Sequence, residues 1–164
     1  LGNIVNSLRV VHEKILPFAR RIHSLYHKMN VMEFDKNFLS TLLQQAAENP
    51  RLRQNFDLRT SQADSSQRML NAMLPETVVA IHKHDDTSET VICLYGKLDE
   101  VIYEATDSCG NATEKLKFKE KQRIRLDPAN GKYGCQIPKG SWHSVEVIEP
   151  SVIFEAKDGA YQPK

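Results

Sequence analysis

Short apolar segments, separated by turn-forming residues, fill most of the chain after residue 67. Their alternation of apolar and polar positions, together with their β-branched and aromatic residues, predicts strands. The predicted strands are residues 68–74, 77–83, 89–95, 97–104, 114–118, 122–126, 133–137, 142–148 and 151–157. Turns are predicted between them, among others at Pro75-Glu76, 108–111, 127–131 and Glu149-Pro150. Many short strands without intervening helices predict a mainly β protein with an antiparallel double sheet or barrel.

A helical pattern comes before these strands. Asp35 is a predicted N-cap, and the Asn49-Pro50 pair should end the helix near Glu48. One face of this helix is apolar and consists of Phe38, Leu39, Leu42, Leu43, Ala46 and Ala47. A helix with a single apolar face needs a packing partner, so we expect it to cover the outside of the barrel. Residues 33–58 are thus expected to form a helical lead-in on a β-barrel of residues 62–164.

Residues 1–31 have a different character. Apolar residues recur there at steps of four and three from Ile4 to Met29, and five basic residues accompany one acidic residue. This pattern predicts an amphipathic basic helix, which Pro17 should kink or split. Four interpretations stay open: a helix packed on the domain or on a partner protomer, a flexible appendage, a targeting segment, or a stretch outside a native domain that begins at Met32.

The overall composition narrows the classes of function. The net charge is +1 and 40% of the residues are hydrophobic, which is an ordinary balance for a globular protein. The basic residues of the barrel portion are dispersed, so we do not expect nucleic-acid binding. No apolar segment approaches the ~20 residues that a membrane-spanning helix needs. The sequence also contains no phosphate-binding loop, no dinucleotide-binding glycine pattern and no Gly-x-Ser-x-Gly nucleophile.

The cysteines bear on the cellular compartment. Cys93, Cys109 and Cys135 are an odd number and lack Cys-x-x-Cys spacing, so we interpret them as reduced thiols. Reduced thiols are typical of a cytoplasmic protein, and this is the location that we predict. Cys93 shares strand parity with Glu89, which places it on the inside of the predicted barrel.

Several potential metal ligands lie close together in the sequence. His82 and His84 are one residue apart and would point to the same side of a strand. A turn through residues 85–88 can bring Glu89 beside them. Two neutral imidazoles and a carboxylate that converge on one point make a metal site with room for a further ligand. A Pro-x-Gly turn presents His143 at the start of another strand, as the fourth candidate.

The two patterns, His-x-His-x4-Glu-x6-Gly and later Pro-x-Gly-x2-His, resemble the two motifs of the cupin family. The leading glycine of the first motif falls at Glu76 and the trailing asparagine of the second at Val147, and neither is a ligand position. The resemblance implies a cupin double-stranded β-helix, a jelly-roll-like barrel, preceded by an N-terminal helical segment. It also implies one metal ion, held by His82, His84, Glu89 and His143.

A narrower resemblance is carried by four barrel segments and by residues 49–55 upstream. The segments are QRMLNAMLPETVVAIHKH, SETVICLYGKL, IPKGSWHSVEV and VIFEAKDGAY, and they are similar to those of WbuC-type cupin metalloproteins. This resemblance covers roughly residues 33–164. It implies a one-domain cupin with a bound metal, often associated with surface-polysaccharide (O-antigen) gene clusters, and it implies no known reaction.

The predicted ligand set leaves one or two positions open on a five- or six-coordinate metal ion. It suits divalent Fe, Mn, Zn, Ni or Cu and does not choose among them. The open positions suit a water, O2 or a substrate oxygen. Further candidates for a substrate pocket are Arg68, Asn71, Tyr95, Glu155, Lys157, Arg51 and Arg53. Such a pocket suits a small, oxygen-rich substrate such as a sugar or a sugar acid.

The sequence therefore predicts a metal-binding cupin that acts on a small carbohydrate-like molecule in surface-polysaccharide biosynthesis. Isomerase-like chemistry is favoured, and that choice depends on family analogy. Two alternatives stay open: an Fe(II)-dependent dioxygenase, and a non-catalytic module that senses a sugar or a metal. We also expect a homodimer, because cupins frequently pair through their sheet edges.

Overall fold

The structure, a computed structural model, describes residues 31–106 and 116–159. All of the elements below belong to one compact unit that begins at Asp35. They are α1 (Lys36–Glu48), β1 (Arg53–Asp57), β2 (Ser66–Met73), β3 (Glu89–Thr106), β4 (Lys117–Leu126), a short 3-10 helix (Pro128–Asn130), β5 (Gly134–Ile137) and β6 (Trp142–Asp158). The helix predicted for residues 1–31 lies outside the described residues except for Val31, and so do Cys109 and the turn predicted at 108–111.

The strands form one antiparallel sheet in the order β1-β2-β6-β3-β4, and β5 pairs with the first part of β3. β3 and β6 pair along almost their whole lengths, but their register shifts three times between Cys93 and Leu98. Bulges of this kind bend a strand. The bend in β3 lets the two halves of the sheet line a common cavity, because residues of both halves contribute to its wall.

Gly96 is required at this bend. It has a φ of +86°, and a Cβ at this position would lie 2.2 Å from the carbonyl oxygen of Pro150 on β6. A residue without a side chain is the one type that tolerates both the backbone conformation and the close approach. β3 and β6 can therefore cross closely at this point.

The observed fold confirms the predicted fold class, a mainly β protein with an antiparallel sheet and an N-terminal helix. The strand boundaries differ from the predicted ones. The predicted pairs 89–95 with 97–104 and 142–148 with 151–157 are joined in the continuous strands β3 and β6. Residues 117–118 and 122–126 likewise lie in one strand, β4, and residues 114–115 lie outside the described residues. The turn predicted at Glu149-Pro150 is wrong, because both residues lie inside β6 at the point where its register with β3 shifts. A bulge tolerates a proline, which has no N–H to donate to the ladder.

The strand predicted at residues 77–83 is also wrong, since the described sheet contains only a single bridge there, between His82 and His143. Part of the backbone in this segment forms hydrogen bonds with side chains instead of with a neighbouring strand. The carbonyl of Val79 accepts a bond from Oγ of Ser144 at 2.7 Å. A strand needs continuous backbone pairing, and this segment pairs at one point.

The predicted helix is confirmed at both ends. The side chain of Asp35 accepts a hydrogen bond from the N–H of Phe38 at 2.8 Å, and Asn49 is the C-cap. The buried face packs in one apolar cluster with residues of the sheet face opposite the cavity: Leu39, Leu42 and Ala46 with Leu70, Ala72 and Val152. Within the part of the chain that the structure describes, no helix has the length and apolar character needed to cross a membrane.

Candidate metal centre

The structure brings the four predicted metal ligands together. His82 and His84 lie on the segment before β3, Glu89 begins β3, and His143 is the second residue of β6. The backbones of His82 and His143 form two reciprocal hydrogen bonds, with N–O distances of 3.0 and 2.8 Å. The N–H of Gly140 donates to the carbonyl of His84 at 2.7 Å. These bonds hold the segment with the two histidines against the start of β6.

The imidazole rings are oriented by backbone carbonyls. Nδ1 of His82 and Nδ1 of His143 each lie 2.9 Å from a carbonyl oxygen, those of Ala80 and Ser141. In the tautomer that donates Nδ1–H to these carbonyls, Nε2 is left as the ligand atom and the ring orientation is fixed. One potential ligand atom from each of the four residues lies within 4.8 Å of the others. This arrangement could hold a metal ion.

Glu89 presents its two oxygens to different partners. Oε2 lies 3.2 Å from Nε2 of His84 and 3.1 Å from Nε2 of His143. Oε1 accepts a hydrogen bond from Nζ of Lys157 at 2.9 Å, and this Nζ also lies 3.3 Å from Nε2 of His84. Oε2 is therefore the oxygen that faces the histidines, while Lys157 holds the other one.

The surroundings favour the protonation states that metal binding needs. Burial raises the pKa of Glu89, but the close contacts with the imidazoles of His143 and His84 and the charge of Lys157 outweigh it, so the pKa lies well below its usual range. Burial and the neighbouring His143 lower the pKa of His82 to about 4. At neutral pH, His82 is then a neutral imidazole and Glu89 a carboxylate, which are the forms that bind a cation. This donor set fits a divalent metal ion.

A cavity of about 790 Å³ opens around the four residues. Three of the predicted pocket residues line it as well: Arg53, Glu155 and Lys157. Much of the remaining wall is apolar and includes Met69, Met73, Val79, Val91 and Val145. Apolar walls with a few convergent polar groups are typical of sites for small molecules.

Glu155 is a second acid on the cavity wall. Nδ2 of Asn71 donates a hydrogen bond to Oε2 of Glu155. Burial, together with the charge of Glu89, raises the pKa of Glu155 to about 7. A carboxyl that titrates near neutral pH can accept and release a proton under ordinary conditions.

The other four predicted pocket residues do not line this cavity in the described structure. Arg68 points to the opposite face of β2 and pairs with Asp64. Asn71 is 1% exposed and acts through its hydrogen bond to Glu155.

Arg51 and Tyr95 are separated from the cavity by local irregularities of the backbone. Leu52 has a φ of +53°, which interrupts the alternation that would align Arg51 with Arg53. Tyr95 lies within the bulge of β3 and is 48% exposed. Parity along an ideal strand would have turned it inward, and the bulge removes that alignment.

The same bulge changes which residues of β3 face inward. Before the bulge, the odd-numbered residues of β3 face inward, as far as Cys93 in the core. Burial raises the pKa of the Cys93 thiol to about 11. After the bulge the even-numbered Leu98 and Glu100 face inward. Glu100 is a cavity residue that the sequence analysis missed. Two features of the sequence could have indicated it. Gly96 lies within a strand pattern, and such a glycine often marks a bulge. Glu100 also shares the strand parity of the apolar Leu98 and Ile102.

Comparison with known proteins places this geometry in context. The family described as "Domain of unknown function (DUF6016)" matches residues 34–117. No curated protein matches the chain. Among solved structures, the conserved SPY1581 protein of unknown function from Streptococcus pyogenes aligns with a TM-score of 0.51 and 11% identity, over 82% of this chain and 95% of that one.

Two further structures align less closely. KdgF from Halomonas sp. gives a TM-score of 0.49 and 11% identity, over 83% of this chain and 91% of that one. A cupin-2 domain protein from Shewanella frigidimarina gives 0.40 and 21% identity, over 66% and 80%. At these identities the similarity concerns the fold and does not extend to a reaction.

Proposed function

We propose that this chain, which belongs to the family described as a domain of unknown function (DUF6016), is a metal-dependent enzyme for a small, oxygen-rich substrate. One observation carries the proposal: three imidazoles and one carboxylate converge at a cavity large enough for such a molecule. The residues that would hold the metal ion are His82, His84, Glu89 and His143. Isomerase-like chemistry is the reaction class that we favour.

A bound divalent metal ion would supply Lewis-acid polarisation of a substrate carbonyl or hydroxyl. The chain supplies the other functions. Lys157 holds Oε1 of Glu89, so that the carboxylate presents one oxygen to the centre. Arg53 and Lys157 add cationic hydrogen-bond donors for an oxygen-rich ligand. Glu155 holds or releases a proton at its carboxyl group, which an isomerisation that moves hydrogen between neighbouring carbons requires.

The more detailed assignments are proposals that the WbuC-type resemblance supports. They comprise a carbohydrate-like substrate and a role in surface-polysaccharide (O-antigen) biosynthesis. A cytoplasmic location is proposed separately, because the cysteines are interpreted as reduced thiols. The native metal is proposed to be Fe, Mn, Zn or Ni, since each of these ions accepts imidazole and carboxylate ligands. A homodimer formed through sheet edges belongs to the same set of proposals.

Elemental analysis of protein purified without a metal-affinity column is the first test. We expect about one equivalent of a divalent metal per chain in the parent. A variant with His82→Ala and His143→Ala should retain little. The matched control is Asp85→Ala, because Asp85 lies in the adjacent turn and pairs with Lys83. A well-folded parent that takes up no metal, even from excess Zn(II), Mn(II) or Fe(II), would refute the proposal.

Activity assays on the loaded protein then separate the reaction classes. Interconversion of an aldose and a ketose would support the isomerase. Oxygen consumption that requires both Fe(II) and a substrate would instead indicate an Fe(II)-dependent dioxygenase. Tight sugar binding without turnover across all metals would indicate a non-catalytic sensing module.

A further inference from the structure

Glu100 is an acid on the cavity wall without a counter-charge. It is 1% exposed, and neither of its carboxyl oxygens has a hydrogen-bond partner among the described residues. Its register partners are Ile124 on β4 and Val145 on β6, and Leu98 and Ile102 share its face of β3. A polar group among apolar side chains is costly unless a partner satisfies it. The position therefore has an unused hydrogen-bonding group at the edge of a cavity.

The surroundings of Glu100 favour its protonated form. Burial raises its pKa well above the usual range, and the charges of Glu155 and Glu89 raise it further. A protonated carboxyl has one O–H donor and accepting oxygens, which match a hydroxyl or carbonyl group. A ligand carboxylate at this place would lose its hydration among apolar side chains and lie near two further acids, which disfavours it.

The position of Glu100 relates it to the proposed metal centre. In the β3–β6 ladder Glu100 pairs with Val145 and Ile102 pairs with His143, so Glu100 and His143 are diagonal neighbours. Such neighbours lie roughly 7–8 Å apart, within reach of long side chains. One small molecule can thus contact the metal centre with one end and Glu100 with the other. A five-carbon chain with terminal oxygens has a suitable length.

We infer that Glu100 forms an inner subsite that receives the uncharged, hydroxyl-bearing end of a polyhydroxylated ligand whose other end reaches the metal centre. The inference rests on the proposed function and specifies its substrate class. A molecule with one charged and one uncharged end is accepted, and a molecule charged at both ends is rejected. Glu100 is then a residue that determines specificity.

Infrared difference spectroscopy of the metal-loaded protein at neutral pH tests the protonation state. The parent should show the carbonyl stretch of a protonated carboxyl that the Glu100→Gln variant lacks. The Glu104→Gln variant should retain this band, because Glu104 is exposed on the same strand. If parent and Glu100→Gln have the same spectrum in this region, Glu100 is ionised and the inference is overturned.

Calorimetry with two probes tests the specificity. Xylonate has one carboxylate and one hydroxyl end, whereas xylarate has a carboxylate at both ends. The parent should bind xylonate about tenfold more tightly than xylarate, and xylonate should shift the infrared band of Glu100. Glu100→Leu should weaken xylonate binding on the order of five- to tenfold. Glu100→Gln keeps a neutral donor and acceptor, so its xylonate affinity should stay within about twofold.

Equal affinity for the two probes, tighter binding of xylarate, or binding of neither overturns the inner subsite. Metal content is measured on the same samples and decides the proposed function separately. Stoichiometric metal without discrimination between the probes refutes the inner subsite alone. Failure of the parent to take up metal refutes the proposed function, whatever the infrared spectrum of Glu100 shows.

Discussion

Asp99 and Glu100 are neighbours in β3, and both are buried, yet their surroundings are opposite. Asp99, which is 3% exposed, faces the outer side of the sheet, where Arg125 and Arg123 donate hydrogen bonds to its oxygens. Burial disfavours the charge on Asp99, but the hydrogen bonds from Arg125 and Arg123 lower its pKa. On the cavity side, burial raises the pKa of Glu100. Two side chains of similarly low exposure thus have pKa values shifted in opposite directions.

Register explains the difference. Asp99 pairs with Arg125 on β4, whereas Glu100 pairs with Ile124 on β4 and Val145 on β6. Arg123 extends the outer group of charges, since it also bonds Glu120 and Glu146. The cross-strand partners therefore distinguish the two acids, because Asp99 has arginine partners and Glu100 has none among the described residues.

Loss of a predicted metal ligand should have the largest effect, because the proposed metal ion would bring a double positive charge to the cavity side of the sheet. We expect His84→Ala to weaken metal binding at least about 100-fold, or about 2.8 kcal/mol, while the sheet stays folded by circular dichroism. Chelation should then lower the melting temperature of the parent and leave the variant unchanged. Asp85→Ala is the control, and stoichiometric metal in purified His84→Ala would contradict the ligand assignment.

Isosteric amides at the two neighbouring acids test the comparison directly. Asp99→Asn should lower the free energy of unfolding by about 2 kcal/mol at neutral pH, since it weakens charge-assisted hydrogen bonds to two arginines. Glu100→Gln should raise it by about 1 kcal/mol, because unfolding no longer releases a proton from a buried acid. Urea unfolding measures both values. Changes of the same sign would show that the inner and outer acids are equivalent.

Lys157 places a positive charge beside the proposed metal centre. Its removal should therefore strengthen metal binding. Lys157→Met removes a positive charge beside the cation and frees Oε1 of Glu89, so we expect about tenfold tighter binding, or about 1.4 kcal/mol. The electronic spectrum of bound Co(II) should also change, because Glu89 can then offer both oxygens. Lys83→Met is the control, since Lys83 pairs with Asp85. Weaker binding in Lys157→Met would indicate that the ammonium supports the site by another route.

The pH dependence of stability should also differ between Asp99 and Glu100. In the folded state the pKa of Glu100 is raised above its ordinary value of 4.5. The folded protein therefore keeps a proton on Glu100 that the unfolded chain releases as the pH rises above 4.5. The stabilisation by Glu100→Gln should therefore grow above pH 4.5 and vanish below it. The pKa of Asp99 is lowered from 3.8, so the loss in Asp99→Asn should persist above pH 3.8 and shrink below it. Parallel pH profiles for the two variants would contradict the assignment.

The sequence predicted those features that depend on local patterns. The helix after Asp35 and the Pro-x-Gly turn before His143 follow from capping and turn chemistry within a few residues. The structure also brings His82, His84, Glu89 and His143 together, although their role as metal ligands stays a prediction.

What the sequence analysis missed depends on pairing between distant residues. The bulge near Gly96 forms where β3 crosses β6, and after it the even-numbered Leu98 and Glu100 face inward in place of odd-numbered residues. That reversal removed Tyr95 from the cavity and placed Glu100 there. Strand β1 was missed for a related reason, since its pairing with β2 involves residues far outside its own short segment.

β6 lies between β2 and β3 in the sheet, although it is the last described strand in chain order. During synthesis, β2 and β3 therefore emerge from the ribosome before the strand that joins them. Until residues 142–158 follow, each has an open edge on the side that β6 later occupies, and open edges expose a nascent chain to aggregation. His143 arrives with the same strand. The nascent chain thus joins β2 to β3 and completes the set of proposed metal ligands in the same step.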